Sequence, residues 1–339
     1  MPTARQELIL RKVVEVYLES GQPVGSKTLS TDPDLDCRPS TIRNELARLE
    51  AVGLLAHPHT SAGRVPTDAA VRFFVDGLLS ARAAPPTHEL QLSLTSREVD
   101  EAMRATTEAL SQVSNLLAIV TAPPIETAEI KHIEVLSLQP QVLMVVIITS
   151  TGGVSKRIFT FEDPVDPGLA AWAAAYLNDQ LTGMDLGART LQRRLNDPGL
   201  NPRERTFLDA LMPAFTELAA TAQDTLYVDG AARLVSEHRF EDLSQINELM
   251  TVLERRRELL AVLRRALSER DVLVRIGAEN DAPLQSMALV AAAYGLPARK
   301  LGTVSLMGPV RMDYAEAIVT VREAAQQLSR YIETVYDER

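Results

Sequence analysis

Residues 37–67 combine a helical apolar stripe with a short hairpin, a pattern that few folds accommodate in so little chain. Three apolar residues recur at helical spacing: Ile42, Leu46 and Leu49. At roughly 100° per residue they fall within about 60° of one another, so one face of this helix is predicted to be buried. Gly53 ends the helix, and strand-like residues 54–56 and 64–66 flank a loop. The pattern is typical of the end of a winged helix-turn-helix that contacts DNA.

The rest of the first eighty residues predicts the other helices of this motif. Pro39 and Ser40 precede the first periodic residue, and the Ser40 hydroxyl is expected to accept a hydrogen bond from the first helical turn. Further helices are predicted at residues 5–20, at 27–31 with Ser26 as the cap, and at 68–79. Residues 1–80 are therefore predicted to be a DNA-binding winged helix-turn-helix domain.

Asn44 and Arg48 lie opposite the apolar stripe, where they could reach the edges of DNA bases. Asparagine pairs well with adenine and arginine with guanine, so these two residues and Arg43 are the candidate base contacts. The alternative is an ordinary solvated helix face. Phosphate and wing contacts are predicted for residues at the helix starts and in the hairpin: Ser26, Lys27, Arg38, Ser40, Thr41, His59, Thr60, Ser61 and Arg64.

The distribution of charge is compatible with DNA binding by a small part of an acidic chain. The formal net charge is −10, but residues 1–80 hold nine Lys or Arg against ten Asp or Glu, which leaves the rest with about −9. Residues 38–72 hold five arginines against three acidic residues. A local basic face on an acidic body limits non-specific attraction to phosphate and favours a sequence-selective binder.

Several protein classes are disfavoured. The single cysteine, Cys37, cannot form an intramolecular disulfide; it precedes the predicted DNA-reading helix, where it is either a redox switch or a spectator thiol. No apolar run approaches 18 residues and no signal-peptide pattern is present, which predicts a cytoplasmic protein. His57 and His59 lack a third ligand nearby, and no catalytic motif occurs, so neither a metal nor a cofactor nor an enzyme is predicted.

The remaining chain predicts an α+β domain that is interrupted by an insertion. A proline-bearing linker, residues 81–89, leads into a helix predicted over residues 90–120. Strands are then predicted at 130–138, 142–149 and 154–161, and helices at 169–181, 186–195, 203–227 and 243–267. Strands return at 272–276, 286–294 and 302–307, before a helix over 313–336. The first three strands are expected to form an antiparallel meander.

Three separate blocks of sequence resemble the bacterial heat-inducible transcription repressor family HrcA. The first is N-terminal and comprises PVGSKTL, STIRNELARLEAVGLL and PHTSAGRVPT. The other two lie far downstream and comprise LYVDGAARLVSEHRFED and then IGAEN with GPVRMDY. The resemblance implies a GAF-like α+β domain that is interrupted by an inserted dimerisation domain. On this basis we expect the GAF-like domain at residues 90–161 and 241–339 and the insertion at 162–240. The alternative is that part of the strand meander belongs to the insertion.

The resemblance also implies a function. A member of this family is expected to bind an inverted-repeat operator as a homodimer and to repress heat-shock chaperone operons. The chaperonin GroEL is expected to keep it active, so that heat stress, which occupies GroEL with unfolded proteins, relieves repression. None of these properties follows from composition or spacing.

Two alternatives remain open at this stage. A ligand-responsive regulator would bind a small molecule in its GAF-like domain, and such a fold proves no ligand by itself. An enzyme with a DNA-binding appendage would use Glu279, Asn280, Arg311 and Asp313 to line a pocket. The structural interpretation of these motifs is that Gly277 and Gly308 turn the chain after strands and that Asp313 caps the last helix.

Overall fold

Two separate hydrophobic cores organise the part of the chain that the structure describes. A computed structural model describes residues 2–35, 37–58, 63–81, 92, 99–123, 129–150, 154–184, 194–195, 197–215, 226–236, 243–255, 259–263, 271–281, 284–297 and 299–337. Helices and antiparallel strands are mixed in both cores, so the α+β prediction is confirmed for these residues.

The N-terminal unit, residues 2–81, contains a helical cluster followed by a hairpin and a further helix. Its elements are α1 Ala4–Ser20, α2 Ser26–Leu29, α3 Pro39–Ala51, β1 Leu55–Ala56, β2 Val65–Pro66 and α4 Asp68–Ser80. A capping box starts α1, where the Thr3 hydroxyl accepts from Gln6 N–H and the Gln6 side chain accepts from Thr3 N–H. This order of elements matches the one predicted from the sequence within a few residues.

The predicted apolar stripe of α3 is confirmed, but the predicted caps are wrong. Ile42, Leu46 and Leu49 are at most 4% exposed. Arg38 occupies the N-cap position of α3 without a side-chain hydrogen bond, and Ser40 lies inside the first turn. Pro39 starts the helix instead, because it has no N–H that needs a partner. Ser26 is likewise helical, since the residue before it takes the N-cap position of α2.

The five-stranded unit is built on an antiparallel sheet of order β7-β3-β10-β9-β8. Its elements are α5 Val99–Ser114, β3 Leu117–Thr121, β7 Leu226–Asp229, α8 Ala231–Ser236, α9 Leu243–Glu254, β8 Val272–Ile276, β9 Met287–Leu296, β10 Arg299–Pro309 and α10 Tyr314–Asp337. Helices α5 and α10 pack against the sheet. The core of this unit is continuous with that of the N-terminal unit.

Two predicted helices extend too far, because each runs into a short strand that periodicity does not distinguish from a helical segment. The helix predicted over residues 90–120 ends at Ser114, where Asn115 adopts a left-handed conformation with φ 53°. Residues Leu117–Thr121 then form the central strand β3, and its apolar run shows no alternation. The helix predicted to reach residue 227 similarly gives way to the edge strand β7. Gly308 was expected to turn the chain, but it lies inside β10.

The three-stranded unit contains the antiparallel meander that the sequence predicts. Its elements are β4 Ile130–Gln139, β5 Val142–Thr149, β6 Val154–Thr160, α6 Pro167–Leu181 and α7 Pro202–Leu211. Alternate residues of β5 are buried, because one face of the sheet packs against α6 and its neighbours. Asn178 of α6 fixes the helix to β4, since its side chain accepts from Ile133 N–H at 2.9 Å.

The packing differs from the predicted insertion, residues 162–240, at both ends. The meander shares its core with α6 and α7, whereas β7 pairs with β3 of the other sheet. The described residues of the three-stranded unit thus lie between residues 129 and 215. The linker predicted at residues 81–89 lies outside the described residues except for Ala81, and the helix predicted at 186–195 does so except for its last two residues.

Because the two cores are separate, a cavity created by a substitution in one core should destabilise only the unit that contains it. Leu208 of α7 is 3% exposed in the core of the three-stranded unit, so Leu208→Ala should destabilise that unit by about 2–5 kcal/mol. Amide hydrogen exchange should accelerate in β4–β6 and α6 and stay unchanged in β3, β9 and β10. Leu306→Ala, a matched change in β10, should produce the reverse pattern. Equal acceleration in both sheets after either change would contradict two cores.

Candidate nucleic-acid interface

One face of α3 is presented to solvent and carries the predicted base contacts. Arg43, Asn44 and Arg48 are exposed on the side opposite the buried stripe. Among the predicted phosphate contacts, Arg38 and Ser40 at the start of α3 are exposed. Thr41 is partly buried beside them, as Ser26 is at the start of α2, and Lys27 of α2 is exposed. The structure therefore brings the predicted helix-face residues together on one accessible surface.

Arg48 is oriented by a buried carboxylate. Its Nη1 lies 3.5 Å from Glu45 Oε1, while 69% of the Arg48 side chain remains exposed. Glu45 is buried in α3 and also accepts from Gln6 Nε2 of α1 at 2.8 Å. The Glu45 side chain therefore ties α3 to α1 and leaves most of the guanidinium of Arg48 available to an incoming partner.

Arg64 occupies a different environment from the other predicted wing residues. Its Nη2 lies 2.8 Å from Glu50 Oε2, and only 20% of its side chain is exposed. Its backbone forms two hydrogen bonds with the backbone of Val24, so the segment at Val24 lies beside the β1–β2 hairpin as a third extended segment. In this conformation the Arg64 side chain links the hairpin to the C-terminal part of α3. The predicted wing residues His59, Thr60 and Ser61 lie outside the described residues.

An ion-pair network fixes the chain between α2 and α3. Lys12 Nζ of α1 lies 2.8 Å from Asp34 Oδ2 and 3.3 Å from Asp32 Oδ2. The hydrogen bond to Asp34 raises the pKa of Lys12 above its ordinary value, against a smaller effect of desolvation. The turn that precedes α3 is therefore attached to α1 by charge as well as by apolar packing.

The polar side chains of the IGAEN and GPVRMDY motifs are engaged in contacts within the protein. Glu279 accepts from Arg72 Nε of α4 at 2.7 Å and from a second nitrogen of that guanidinium. Asn280 is buried and donates to Met287 O at 2.9 Å. Asp313 accepts from Glu316 N–H at 2.9 Å, so its predicted role as the cap of α10 is confirmed.

Arg311 of the second motif packs against the N-terminal unit. Its guanidinium lies so close to Gly21 that a Cβ at Gly21 would overlap its Nη1. Gly21 ends α1 in a left-handed conformation, with φ 66°. Both motifs therefore contribute to the contact between the N-terminal and five-stranded units.

A cavity of about 490 Å³ opens between β9, β10 and α10. Lys300, Arg322 and Arg330 contribute cationic groups to its lining, and Asp271 contributes a carboxylate. Arg322 donates to both oxygens of Asp271, at 2.9 and 2.6 Å. The cavity is thus cationic and lies on the side of the five-stranded sheet that α10 covers.

Metal and membrane sites are not found in the described part of the chain. Within those residues there is no group of three or more His, Cys, Asp or Glu that could hold a metal ion. None of the helices that the structure describes has the length and apolar character needed to cross a membrane.

An exposed cationic helix face on a small N-terminal unit, carried by a larger α+β body, is the architecture of a transcription regulator. Comparison with known proteins makes the assignment specific. Residues 100–318 match the family model for the HrcA protein C-terminal domain. The chain belongs to the HrcA family.

Curated relatives extend the match over nearly the whole chain. The heat-inducible transcription repressor HrcA of Cutibacterium acnes is 34% identical over 339 residues, which cover 96% of this chain and 97% of the relative. The protein of that name from Sorangium cellulosum is 34% identical over 340 residues, covering 96% of each chain. The one from Brevibacillus brevis is 29% identical over 344 residues, covering 99% and 100%.

A solved structure shares the fold. The crystal structure of a hypothetical protein at 2.2 Å resolution superposes with a TM-score of 0.68 at 21% identity, covering 99% of this chain and 100% of that one. At that identity the likeness shows the fold alone. A putative transcriptional regulator from Rhodococcus, with a TM-score of 0.25 and 14% identity, is too distant in structure to support an argument.

Sequence reasoning missed the acidic partners of the cationic residues. The sequence does not predict the Glu50–Arg64 pair, the Arg72–Glu279 pair or the contact of Asp68 with Ala278 N–H. Because Glu50 precedes the predicted hairpin and Arg64 is on its return strand, this pair could have been predicted from the local sequence. The Arg72–Glu279 pair joins residues that are far apart in the chain, and no pattern in either segment indicates it.

The pH dependence of stability should report the Arg72–Glu279 contact. Burial alone would raise the pKa of Glu279, but hydrogen bonds from Arg72 and from Ile276 N–H, with the charge of Arg72, lower it overall. A lowered folded-state pKa contributes stability above the unfolded value of about 4.3, and that contribution is lost as pH falls through the folded value.

Glu279→Gln should therefore lower the melting temperature at pH 6 and have a progressively smaller effect between pH 4 and pH 3. Glu19→Gln, a change to an exposed glutamate of α1, serves as the control and should show no such trend. A Glu279→Gln effect that is the same size at pH 3 and pH 6 would contradict a stabilising ion pair.

Proposed function

We propose that this chain is a dimeric repressor of heat-shock chaperone operons, and that its N-terminal unit is a winged helix-turn-helix that binds an inverted-repeat operator. The observation that carries the proposal is the exposed α3 face, on which Arg43, Asn44 and Arg48 lie opposite a buried apolar stripe. The names of the curated relatives, heat-inducible transcription repressors, support repression and its relief by heat. The proposal assigns no catalytic step, needs no cofactor and places the protein in the cytoplasm with its DNA.

Each α3 would enter the major groove of one half-site. There Asn44 would pair with adenine and Arg48 with guanine, with Arg43 beside them. Residues at the helix starts would bind phosphates and set the register: Ser26, Lys27, Arg38, Ser40 and Thr41. The hairpin tip, with His59, Thr60 and Ser61, would lie along the backbone or in the minor groove. Arg64 would join these contacts only after leaving Glu50.

The outer face of the three-stranded sheet is the surface that we assign to the homodimer contact. Residues on this face alternate with the buried core residues of β4–β6, and several are large, apolar and 39–65% exposed: Leu136, Leu138, Val154 and Ile158. Met144 of β5 lies between Leu136 and Ile158 in register, and Ile148 lies beside Val154. Between these two rows lie Glu134, Val146 and Lys156, so the apolar surface is continuous along β5 and is interrupted by charged residues on β4 and β6. Exposed apolar residues grouped in this way are characteristic of an interface, and a second copy would present the same face in return.

Dependence on the chaperonin GroEL is the part of the proposal that rests on the family resemblance. A physical rationale accompanies it. The sheet of the five-stranded unit pairs β3 with β7 and β10, which are distant in sequence and separated from β3 by the whole three-stranded unit. Chains dominated by such non-local pairing fold slowly and expose apolar surface meanwhile. A repressor of this kind would report how much chaperonin is available.

A ligand-responsive regulator is the second candidate, and the cationic cavity beside α10 favours it. The five-stranded unit would then be a GAF-like sensor domain. Such a regulator would bind its operator without GroEL and would change its affinity only when a small molecule is added. The two candidates therefore differ in which addition restores or removes DNA binding.

Fluorescence anisotropy on a labelled duplex tests the repressor proposal. The duplex would carry an inverted repeat from a chaperone promoter, and wild type would be titrated at two salt concentrations with and without GroEL. Arg48→Ala and Asn44→Ala should each remove on the order of 1–3 kcal/mol of preference for the operator over random DNA. Arg203→Ala is the matched control, because Arg203 is 68% exposed and pairs with Asp166 in the three-stranded unit.

The control should keep the preference of wild type. A solvated helix face without a function would leave the operator preference unchanged in all three variants. Wild type without any operator preference, even with GroEL present, would overturn the repressor proposal and direct attention to the cavity.

Sedimentation or size-exclusion measurements test the dimer surface. Val154→Lys and Ile158→Lys place charges on the outer sheet face, so each should raise the dimer dissociation constant at least tenfold and weaken operator binding in parallel. Val52→Lys is the matched control, because Val52 of the N-terminal unit is 68% exposed and Val154 is 65% exposed. Dimerisation that survives both sheet-face changes would remove this surface from the proposal.

A further inference from the structure

The N-terminal unit is attached to the five-stranded unit through one face of α4. Arg72 donates to both carboxylate oxygens of Glu279 and also to Val274 O of β8, the latter at 2.7 Å. Only about a quarter of the Arg72 side chain is exposed. A two-pronged contact from a planar guanidinium fixes direction as well as distance, which a single hydrogen bond cannot do.

A second contact lies one helical turn before Arg72 on the same face of α4. Asp68 accepts from Ala278 N–H at 2.9 Å, at the 3₁₀ turn that follows β8. Gly277, which has φ +50°, leaves room for this approach, since a Cβ there would overlap the Asp68 carboxylate. Asp68 and Arg72 together therefore hold the first two turns of α4 against residues 274–279.

Two contacts with the five-stranded unit, one at Asp68 and one at Gly21, lie close in sequence to segments that contact the hairpin. Asp68 follows β2 directly after Thr67, whose hydroxyl donates to Gly53 O at 2.9 Å and so connects to the end of α3. At the second contact, Arg311 packs on Gly21. Gly21 lies three residues before Val24, and Val24 pairs with Arg64 of the hairpin. The orientation of α3 and its hairpin thus follows from where the five-stranded unit holds α4 and the end of α1.

We propose that Asp68, Arg72, Glu279 and the backbone of residues 277–278 form a latch that fixes the angle of each N-terminal unit and thereby sets the half-site separation that the dimer accepts. These are positioning residues, and none of them contacts DNA. The inference rests on the proposed function, because half-site separation has meaning only for a dimer on an inverted repeat.

The physical reason is that a dimer can select one half-site separation only if its N-terminal units are rigidly attached. One added base pair moves a half-site by about 3.4 Å and turns it by roughly 34° around the duplex. Two N-terminal units held at a fixed angle can bind only one half-site separation without strain. Units that are loosely attached can adjust to several separations. Opening the latch should therefore broaden spacing tolerance more than it weakens contact with a single half-site.

The experiment measures anisotropy on duplexes that keep both half-sites and change the spacer by one or two base pairs in either direction. Wild type is expected to prefer one spacing at least tenfold over those two base pairs away. Arg72→Gln and Glu279→Gln should each reduce that ratio at least threefold, and the double variant should be no worse than the more affected single variant. Arg233→Gln and Asp229→Asn are the matched controls.

The controls remove an arginine–carboxylate pair, at 3.2 Å, that lies wholly within the five-stranded unit and outside the cationic cavity. Their spacing preference should equal that of wild type. Amide hydrogen exchange supplies a readout without DNA. Glu279→Gln should accelerate exchange at least threefold at residues 276–280 and in the first turns of α4, and leave α3 unchanged. Arg72→Lys, which keeps the charge but loses the two-pronged geometry, replaces any variant whose α3 also loses protection.

The outcomes separate the latch from the proposed function. Unchanged spacing preference in a variant whose exchange shows an open latch overturns the spacing role, and unchanged exchange in every variant overturns the latch itself. If wild type prefers no operator over random DNA, the proposed function fails and the spacing role fails with it. Exchange then still decides whether these residues anchor the N-terminal unit.

Discussion

The packing of α4 on β8 is the constraint on which the rest of the molecule depends. It makes one continuous core from the N-terminal unit and the five-stranded sheet, so α3 is carried on a packed body. Apolar burial supplies most of the attraction but is indifferent to small rotations. Directional contacts remove that freedom, and the guanidinium of Arg72, shared between Glu279 and Val274 O, is the most constrained of them.

The three-stranded unit is distinguished by the exposed apolar residues on one face of its sheet. Its sheet is short, has one face packed on α6 and α7, and presents the other face with exposed Val154 and Ile158. A single copy leaves this apolar surface in water, which is unfavourable, and association with an identical surface removes it. Because this unit has its own core, in the proposed dimer it would join two chains without deforming the sheet that holds the N-terminal units.

Local pattern predicted most helices and the meander, because amphipathic periodicity and strand alternation are properties of short windows. It failed at Leu117–Thr121, whose buried apolar run carries no period, and at the edge strand Leu226–Asp229, which is too short to show one. The family resemblance implied an insertion, but its edges depend on the pairing of Ala118 with Asp229, across the whole inserted unit. The exposed face of α3 followed from periodicity alone. The contacts of Arg72 did not, since they join positions that only the completed fold brings together.

The charge distribution explains why geometry matters so much for this chain. Several basic groups of the N-terminal unit are engaged internally: Arg64 with Glu50, Lys12 with Asp34, and Arg72 with Glu279. The exposed charge that remains on α2 and α3 is modest and the body is acidic, an arrangement that favours weak non-specific attraction to DNA. In the proposed dimer, a single N-terminal unit would then bind poorly, and affinity would come from two units that engage together. Joint engagement multiplies affinity only when both half-sites are reached without strain. Under the proposed function, an acidic repressor with few phosphate contacts would therefore depend on the angle at which its N-terminal units are held.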